Sequence, residues 1–218
     1  MPHSDPLMLA LWCLGAFLSG SIPFGLILVK VAGKGDVREH GSGNIGATNV
    51  SRVGGKGLGI LVLLLDMGKG YLPVFLAKNQ ALELDAQMAV ALCAVLGHAF
   101  TPWLSFKGGK GVATALGTAL AYRASAVVPP FIVFVLLVLI FRYVSLGSIV
   151  SAALLPVCMG WPREVSGFQF LAWRVGVREQ DPWQATFFWA LIAVLVIAKH
   201  HENIRRLFQG TESKLWGT

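Results

Sequence analysis

Residues 41–49 read GSGNIGATN, and the first six match the G-x-G-x-x-G spacing of a dinucleotide-binding turn. That spacing indicates a Rossmann fold where a β-strand precedes it, a helix follows it and an acidic residue comes about 20 positions later. Here a long apolar stretch precedes it, and Asp66, which lies 20 positions after Gly46, falls inside another apolar stretch. The sequence therefore excludes the Rossmann interpretation. The glycines still suit a loop whose backbone N–H groups converge on an anion.

The composition explains why no such strand precedes the loop. Of the 218 residues, 55% are hydrophobic and 13% are charged, and the mean hydropathy is +0.66. A chain this apolar is typical of a membrane protein, so we predict an all-α integral membrane fold in which residues 1–218 form a single domain. Residues 7–29 lack a basic start and a small-x-small cleavage site. We therefore expect a retained span there rather than a signal peptide.

Seven apolar stretches are candidate membrane spans: 7–29, 58–77, 86–103, 112–122, 125–141, 146–161 and 183–198. A span needs about 17 to 25 residues, so the stretch 112–122 is short, and whether it crosses decides the topology. If it crosses, one face receives 12 of the 18 Lys and Arg residues, the other face receives five, and Lys69 lies within a span. Because cytoplasmic loops are rich in Lys and Arg, we predict seven transmembrane helices, with the N-terminus outside and the C-terminus in the cytoplasm.

The net charge of +7 fits nucleic acid, anionic lipid or an anionic substrate as the partner. No Lys/Arg-rich run is interleaved with aromatic residues, so we expect membrane lipid and no nucleic acid. The three cysteines lie in apolar sequence without C-x-x-C spacing, which indicates packing rather than a zinc site or a disulfide. No spacing typical of metal ligands occurs, and neither a metal nor another cofactor is expected.

Three polar clusters share the basic face. We call them motif 1 (HGSGNIGATNVSR, 40–52), motif 2 (SFKGGKGVAT, 105–114) and motif 3 (KHHENIRRLFQGTES, 199–213). Motif 2 joins glycines, lysines and a helix start, the components of a phosphate site, although it lacks the Ser or Thr of a Walker A loop. Each cluster alone also fits close helix packing or membrane orientation, and motif 3 also fits a surface helix on anionic lipid. Three clusters on one face favour a phosphate site.

These motifs, together with LDMGKGYLPV (65–74) and RYVSLGS (142–148), resemble the bacterial acyl-phosphate:glycerol-3-phosphate acyltransferases, the PlsY family. The resemblance implies a seven-span fold in the bacterial inner membrane, with the active site facing the cytoplasm. It implies transfer of an acyl group from acyl phosphate to the 1-hydroxyl of glycerol 3-phosphate, giving lysophosphatidic acid and phosphate in the first committed step of phospholipid synthesis. A soluble enzyme that makes acyl phosphate is a further implied partner. Residues 162–181 depart from the family by being long and aromatic, and we expect them outside.

The resemblance also assigns site residues. The active-site residues that it implies are Ser42, Arg52, Lys110, His200 and Asn203. The residues expected to bind substrate are Gly41, Gly43, Asn44, Gly46, Asn49, Lys107, Gly108, Gly109, Gly111, Ser145, Ser148, Arg205 and Glu212. No His is followed by Asp at the H-x-x-x-x-D spacing, so the proton acceptor is either the phosphate of the donor or His200.

The remaining polar residues inside apolar stretches have simpler interpretations. Asp66 and Lys69 lie three positions apart on one helical face, which predicts a structural ion pair rather than a substrate contact. His98 is expected to be a hydrogen-bonded packing residue.

Two other functional classes make different predictions. A transporter of anions would place substrate groups near the midplane, whereas these motifs lie at the cytoplasmic edge. In a noncatalytic assembly protein, Ser42, Arg52 and Lys110 could be replaced with little loss.

Overall fold

Helices make up the regular structure throughout the described part of the chain. The computed structural model describes residues 5–161 and 182–216. The α-helices are α1 Pro6–Ser21, α2 Phe24–Val31, α3 Ala47–Gly54, α4 Lys56–Asn79, α5 Leu84–Ala99, α6 Val112–Phe141, α7 Val144–Gly160, α8 Pro182–Ala198 and α9 His201–Phe208. Short 3₁₀ helices occur at Val37–Glu39 and Pro102–Leu104. The all-α prediction is confirmed, while the expectation for the segment 162–181 lies outside the described residues.

Four helical segments are long and apolar enough to cross a bilayer: Pro6–Val31, Lys56–Asn79, Leu84–Leu104 and Val112–Phe141. The pair α8 and α9, which bends by 58°, makes a fifth if it counts as one span. Helix α7 is apolar but has 17 residues, at the lower limit for a span. Length and composition thus give four or five spans within the described residues, and the number seven stays a proposal.

Helix α6 joins two of the predicted stretches, 112–122 and 125–141, in 30 residues. The helix is broken at Arg123, whose backbone is non-helical with φ −153° and ψ 86°. The Arg123 guanidinium donates from Nη1 to the carbonyl oxygens of Met159 at 3.0 Å and Trp161 at 2.9 Å, at the end of α7. The chain divides into two compact units at this break, residues 1–122 and 123–218, which we describe separately.

In the first unit, α1 packs against α5 with their backbones in close contact. A side chain at Gly20 would collide with the Ala94 backbone, and one at Gly97 would collide with the carbonyl of Phe17. Small residues allow this approach, which maximises dispersion contacts where no water drives helix association. These two glycines therefore set the distance between the two helices.

A break between α1 and α2 gives motif 1 its support. Helix α1 ends before Pro23, which has no N–H group to continue the helical hydrogen bonds. Beyond the break, α2 joins a buried apolar cluster that reaches into motif 1 and α4. Its members are Leu26, Val29, Val37, Ile45, Val50, Val62 and Leu104. The apolar cluster therefore anchors motif 1 through Ile45 and Val50.

In the second unit, α7 packs against α8, and Gly147 of α7 contacts Phe134 of α6. Trp189, Ile192 and Val196 are buried on α8 at a spacing that places them on one face of the helix. The C-terminal tail is tied back to the turn between α6 and α7, because the N–H of Leu215 donates to the carbonyl of Arg142 at 2.8 Å. The tail therefore has a defined position beside α7.

Candidate active site

Asn49 organises motif 1 from inside. Its side chain is 2% exposed, in the first turn of α3. The amide Nδ2 lies within hydrogen-bonding distance of the carbonyl oxygens of Val37 (3.0 Å), His40 (3.0 Å) and Asn44 (2.9 Å). Its Oδ1 accepts the N–H of Ser42 at 2.9 Å. Asn49 therefore holds the loop in shape, and the substrate contact predicted for it stays a prediction.

Two glycines turn the chain on either side of Ser42. Gly41 has φ 60° and Gly43 has φ 68°, the left-handed region that glycine adopts without strain. A side chain at Gly41 would also collide with Oδ1 of Asn49. Ser42 is half-buried between these two residues. The glycines thus allow a tight turn that fixes the position of Ser42.

Three backbone N–H groups of motif 1, those of Ser42, Gly43 and Gly46, are engaged within the loop. The N–H of Gly43 donates to the carbonyl of His40 at 3.1 Å, and that of Gly46 donates to Oδ1 of Asn44 at 2.9 Å. The N–H of Ser42 is bound by an asparagine as described above. Asparagine and carbonyl oxygens of the loop accept these three groups, and the anion contact expected for the loop stays a prediction.

An open cleft of about 420 Å³ lies beside the turn. Its lining residues are Lys34, His40, Gly41, Arg52 and Val53. Two of them carry a permanent positive charge and a third is a histidine, so the cleft attracts anions through side chains rather than through backbone N–H groups. The structure thus brings predicted residues Gly41 and Arg52 together, next to Ser42.

The acidic residue nearest to Lys34 in the sequence is already paired. Asp36 accepts the guanidinium of Arg38 at 2.6 Å and lies 3.8 Å from the ammonium of Lys30. The hydrogen bonds from Arg38 hold the pKa of the Asp36 carboxyl well below its usual range. Asp36 therefore pairs with Arg38, and it is not one of the residues that line the basic cleft.

Three cleft residues were not predicted from the sequence, namely Lys34, His40 and Val53. His40 was noted as the start of motif 1 but received no role. Lys34 lies between Gly33 and Gly35, which have φ 68° and φ 80°. The same Gly-Lys-Gly pattern occurs at 109–111 in motif 2. Because Gly-Lys-Gly also occurs at 55–57 and 68–70, the pattern does not single out Lys34.

Motif 2 is tied to the end of α5. The N–H of Gly108 donates to the carbonyl of Ala99 at 3.2 Å, and the N–H of Gly109 donates to the carbonyl of His98 at 3.1 Å. Gly109 is buried, and Lys110, the next residue, is half-buried. These two glycines therefore anchor the loop, and their predicted contacts with substrate stay predictions.

The two lysines of motif 2 have different environments. Lys107 is exposed, whereas Lys110 is half-buried and lies two residues before Val112, where α6 begins. Gly111 turns the chain between them and α6 with φ 80°. Lysine charge and a helix N-terminus therefore occur together here, as the sequence predicts, and both favour an anion.

In the second unit, Glu212 joins α7, α9 and the tail. Its Oε1 accepts hydrogen bonds from Ser145 Oγ (2.7 Å) and Asn203 Nδ2 (2.6 Å), and its Oε2 accepts one from Nε of Arg206 (2.7 Å). Burial opposes ionisation, but these hydrogen bonds and the charge of Arg206 outweigh it and lower the pKa of the Glu212 carboxyl. Glu212 is thus a structural carboxylate, and its predicted substrate contact stays a prediction.

His200 and Asn203 lie one turn apart at the start of α9, and both are buried. The Nδ1 atom of His200 is 2.7 Å from the carbonyl oxygen of Val196. Because a carbonyl only accepts, Nδ1 carries the proton and Nε2 carries the lone pair of the neutral ring. The Oδ1 atom of Asn203 is buried with no hydrogen-bond partner among the residues described. That oxygen is therefore suited to accept a bond from a ligand hydroxyl.

The other predicted residues of the second unit have separate contacts. Ser145 is held by Glu212, while the Oγ of Ser148 donates within α7 to the carbonyl of Val144 at 2.8 Å. Arg205 is exposed on α9. The structure therefore groups Ser145 and Asn203, and the substrate contacts of Ser148 and Arg205 stay predictions.

The predicted ion pair within α4 is confirmed. Lys69 Nζ is 2.8 Å from Oδ1 of Asp66, and both side chains are 3% exposed. The same ammonium donates to the carbonyl of Ile22 at 2.7 Å, at the break between α1 and α2. It also lies 5.6 Å from the ring centroid of Phe24. Lys69 thus pairs its charge and satisfies a carbonyl that the broken helix leaves open.

Metal ligands do not assemble within the ranges 5–161 and 182–216. No group of three or more His, Cys, Asp or Glu side chains there could hold a metal ion. The cysteines Cys13, Cys93 and Cys158 are unbridged and half-buried.

Comparisons with known proteins identify the family of this chain. The sequence model of the family described as glycerol-3-phosphate acyltransferase matches residues 10–210. A glycerol-3-phosphate acyltransferase of Trichlorobacter lovleyi is 48% identical over 203 residues, which cover 93% of this chain and 95% of the relative. The enzyme of the same name from Syntrophotalea carbinolica is 45% identical over 206 residues, covering 92% and 94%.

Solved structures agree with the sequence matches. A crystal structure of PlsY (YgiH), described as an integral membrane glycerol 3-phosphate acyltransferase in its glycerol 3-phosphate form, is 38% identical with a TM-score of 0.81. The alignment covers 96% of each chain. The lysophosphatidic acid form of the same protein gives a TM-score of 0.79 at 37% identity. With its long apolar helices, basic cleft and three motifs, this multi-pass membrane protein belongs to the glycerol-3-phosphate acyltransferase family, the PlsY family that its sequence resembles.

Proposed function

We propose that this chain transfers an acyl group from acyl phosphate to the 1-hydroxyl of glycerol 3-phosphate, and releases lysophosphatidic acid and inorganic phosphate. The observation that carries the proposal is the basic cleft beside Ser42, lined by Lys34, His40 and Arg52. A relative at 38% identity has been solved in glycerol 3-phosphate and lysophosphatidic acid forms, which supports the same substrate and product here. The acyl phosphate donor follows from the resemblance of the three motifs.

The electrostatics of two phosphate substrates agree with this proposal. Two like unit charges 4 Å apart repel by about 4 kcal/mol at an effective dielectric of about 20. Cations must offset that repulsion before the reacting atoms can meet. Arg52, Lys34 and His40 surround one cleft, and Lys107 and Lys110 lie in motif 2. We assign the first three to binding a substrate phosphate, with the Ser42 hydroxyl as a neighbouring donor.

The transfer needs little beyond positioning, because acyl phosphate is an activated donor. The 1-hydroxyl oxygen attacks the acyl carbonyl carbon and forms a new C–O bond. The bond between that carbon and the phosphate oxygen then breaks, and phosphate leaves with the electron pair. We assign Lys110 to stabilising the negative charge that develops, since it lies at the N-terminus of α6. No covalent enzyme intermediate is required.

Two groups are proposed as the acceptor of the hydroxyl proton. The first is an oxygen of the donor phosphate, which becomes more basic as it leaves. The second is Nε2 of His200, which carries the lone pair in the tautomer fixed by the carbonyl of Val196. The resemblance places His200 and Asn203 in the active site, and Asn203 Oδ1 is suited to a glycerol hydroxyl.

The proposal includes a location in the cell. We propose seven spans in the bacterial inner membrane, with motifs 1 to 3 facing the cytoplasm, where glycerol 3-phosphate is soluble. The distribution of 12 of 18 basic residues on that face supports this topology. We also propose that residues 1–218 act as one acyltransferase domain, since the family match spans residues 10–210. A soluble enzyme that makes acyl phosphate would supply the donor.

The test is phosphate release by the purified protein in detergent or a lipid mesophase. We expect release that requires both acyl phosphate and glycerol 3-phosphate, together with stoichiometric lysophosphatidic acid. Release that is independent of glycerol 3-phosphate would indicate a hydrolase. No release in either case, with solute movement in vesicles, would indicate a transporter and contradict the proposal.

The donor itself gives a sharper prediction. Acyl coenzyme A has no phosphate next to the reacting carbonyl, so it cannot place one near the basic side chains while the carbonyl is in line for attack. We expect initial rates with acyl coenzyme A to be at least about tenfold below those with acyl phosphate of the same chain length. Added inorganic phosphate should compete with acyl phosphate. Equal use of the two donors would overturn the assignment of the donor while leaving acyl transfer intact.

A further inference from the structure

A buried charge cluster lies in the first unit, next to motif 2 and outside the assigned site. Asp66, Lys69 and His98 are each at most 5% exposed. Asp66 Oδ1 lies 2.8 Å from Lys69 Nζ and 3.8 Å from Nδ1 of His98. The first distance is that of an ion pair, and the second is beyond hydrogen-bonding length. One carboxylate therefore faces two nitrogen groups, from α4 and α5.

The cluster is attached to the break between α1 and α2. Lys69 donates to the carbonyl of Ile22 at 2.7 Å. The segment after α5 binds Ser21, the residue before Ile22, since Thr101 Oγ1 donates to the carbonyl of Ser21 at 2.7 Å. Trp103 Nε1 also donates to the Ser21 hydroxyl, at 2.8 Å. Helix α4 and the segment that leads into motif 2 therefore bind two adjacent residues at the break, Ile22 and Ser21 respectively.

His98 connects this cluster to the glycines of motif 2. Its carbonyl accepts the N–H of Gly109 at 3.1 Å. Its ring packs directly on Gly109, because a side chain there would collide with Nε2 of His98. Gly108 packs as closely on the carbonyl of His98. The ring thus faces Asp66 with one nitrogen and Gly109 with the other, and Gly109 precedes Lys110.

We propose that Asp66, Lys69 and His98 form a positioning network that sets the place of Lys110 through the backbone of Gly108 and Gly109. This inference rests on the proposed function, in which Lys110 acts on the reacting phosphate. A pair that served only to neutralise charge within α4 would need no contact with the loop. Charged groups in a membrane interior are costly. Here they support the backbone of motif 2, which presents Lys110.

Variants of His98 test the network. His98→Leu removes both ring nitrogens at similar volume, and we expect a fall in kcat of about tenfold with KM for glycerol 3-phosphate within about threefold. His98→Asn keeps a donor that points at Asp66, so it should recover most of the lost kcat. Thr118→Val is the matched control, since Thr118 is fully buried and its hydroxyl bonds within α6 to Ala115. The control should keep wild-type kcat.

A second variant removes the charges together. Asp66→Leu with Lys69→Met leaves no unpaired buried charge, so folding can survive where either single change would not. We expect it to lose kcat as His98→Leu does. Backbone hydrogen exchange in residues 105–111 should become faster in both variants, which reports the position of the loop without any substrate.

The outcomes are separable. If kcat and the hydrogen exchange of residues 105–111 stay at wild-type values in His98→Leu, the network does not position the loop and the inference is overturned. If the double variant does not fold, the comparison of His98→Leu with His98→Asn decides alone. If the wild type transfers no acyl group, the proposed function fails, and faster exchange in the variants would still support the network.

Discussion

Within motif 1, Arg52 lines the cleft, whereas Asn49 holds the shape of the loop. Arg52 lies on the last turn of α3 and lines the cleft with Lys34, His40 and Gly41. The uncharged Asn49 shapes the loop, because its Oδ1 accepts the N–H of Ser42 and its Nδ2 donates to the carbonyl of Val37. We therefore expect the basic side chains to supply most of the binding energy for an anion.

This division predicts the effects of single substitutions. We expect Arg52→Ala and Lys110→Ala each to lower kcat/KM by about tenfold or more, which is about 1.4 kcal/mol of transition-state stabilisation. Lys34→Ala should act mainly through KM, since it removes one charge from the cleft. Lys78→Ala is the control, because Lys78 is exposed at the end of α4. Equal losses in all four variants, measured as phosphate release, would mean that the charges serve folding or orientation.

At the scale of elements, Glu212 determines how α9 and the tail meet α7. It accepts hydrogen bonds from Ser145 of α7 and from Asn203 and Arg206 of α9. Glu212 thus holds Asn203 by its amide nitrogen, and the Oδ1 atom of Asn203 takes no part in this contact. An acidic residue in the tail thus orients a predicted active-site residue on α9.

The expected effect of Glu212→Gln follows from its charge. The variant loses the ionic partner of Arg206, so we expect it to be about 1 to 3 kcal/mol less stable at pH 7. Because the folded pKa of Glu212 is lowered, its stabilisation is full above the unfolded pKa and is lost as the pH falls through the folded pKa. The two proteins should therefore converge in Tm at low pH. Thermal unfolding in detergent at a series of pH values measures this, and a Tm difference independent of pH would contradict it.

The lengths of the helices show where sequence patterns reach their limit. Hydropathy predicted two stretches, 112–122 and 125–141, on either side of Arg123. In the structure, one helix of 30 residues covers both stretches and is broken at Arg123. Neither Gly nor Pro marks that position, so the local sequence carried only a polar interruption. The break is held by the carbonyls of Met159 and Trp161, which are distant in sequence.

At the scale of the whole molecule, the proposed topology predicts which loops face the cytoplasm. With the native cysteines replaced by Ala, we expect cysteines introduced at Glu39, Ser105 and Gln209 to resist an impermeant thiol reagent in intact cells. All three positions are exposed, so they should react in inside-out vesicles. Asn79→Cys, at the exposed end of α4, should react only from outside and serves as the control. Labelling of Glu39→Cys or Ser105→Cys from outside would contradict the seven-span proposal.

The sequence by itself determined the class of the protein and its family. Apolar stretches of bilayer length exclude a soluble fold, because hydrophobic burial and backbone hydrogen bonding in lipid both depend on local composition. The motifs 1 to 3 predicted the family, and the spacing of Asp66 and Lys69 predicted an ion pair on one helical face. Each of these is a property of neighbouring residues, so it can be inferred from order and spacing alone.

The tertiary structure alone decided which polar groups of the motifs bond to one another and which line the cleft. Sequence reasoning assigned the N–H groups around Ser42 to an anion, whereas folding brings Asn49 and His40 into position to accept or organise them. Lys34 joins Arg52 in one cleft although 18 positions separate them. His98 meets Asp66 on one side and Gly109 on the other. Hydrogen bonds and close contacts between distant segments depend on how helices pack, and no local pattern specifies them.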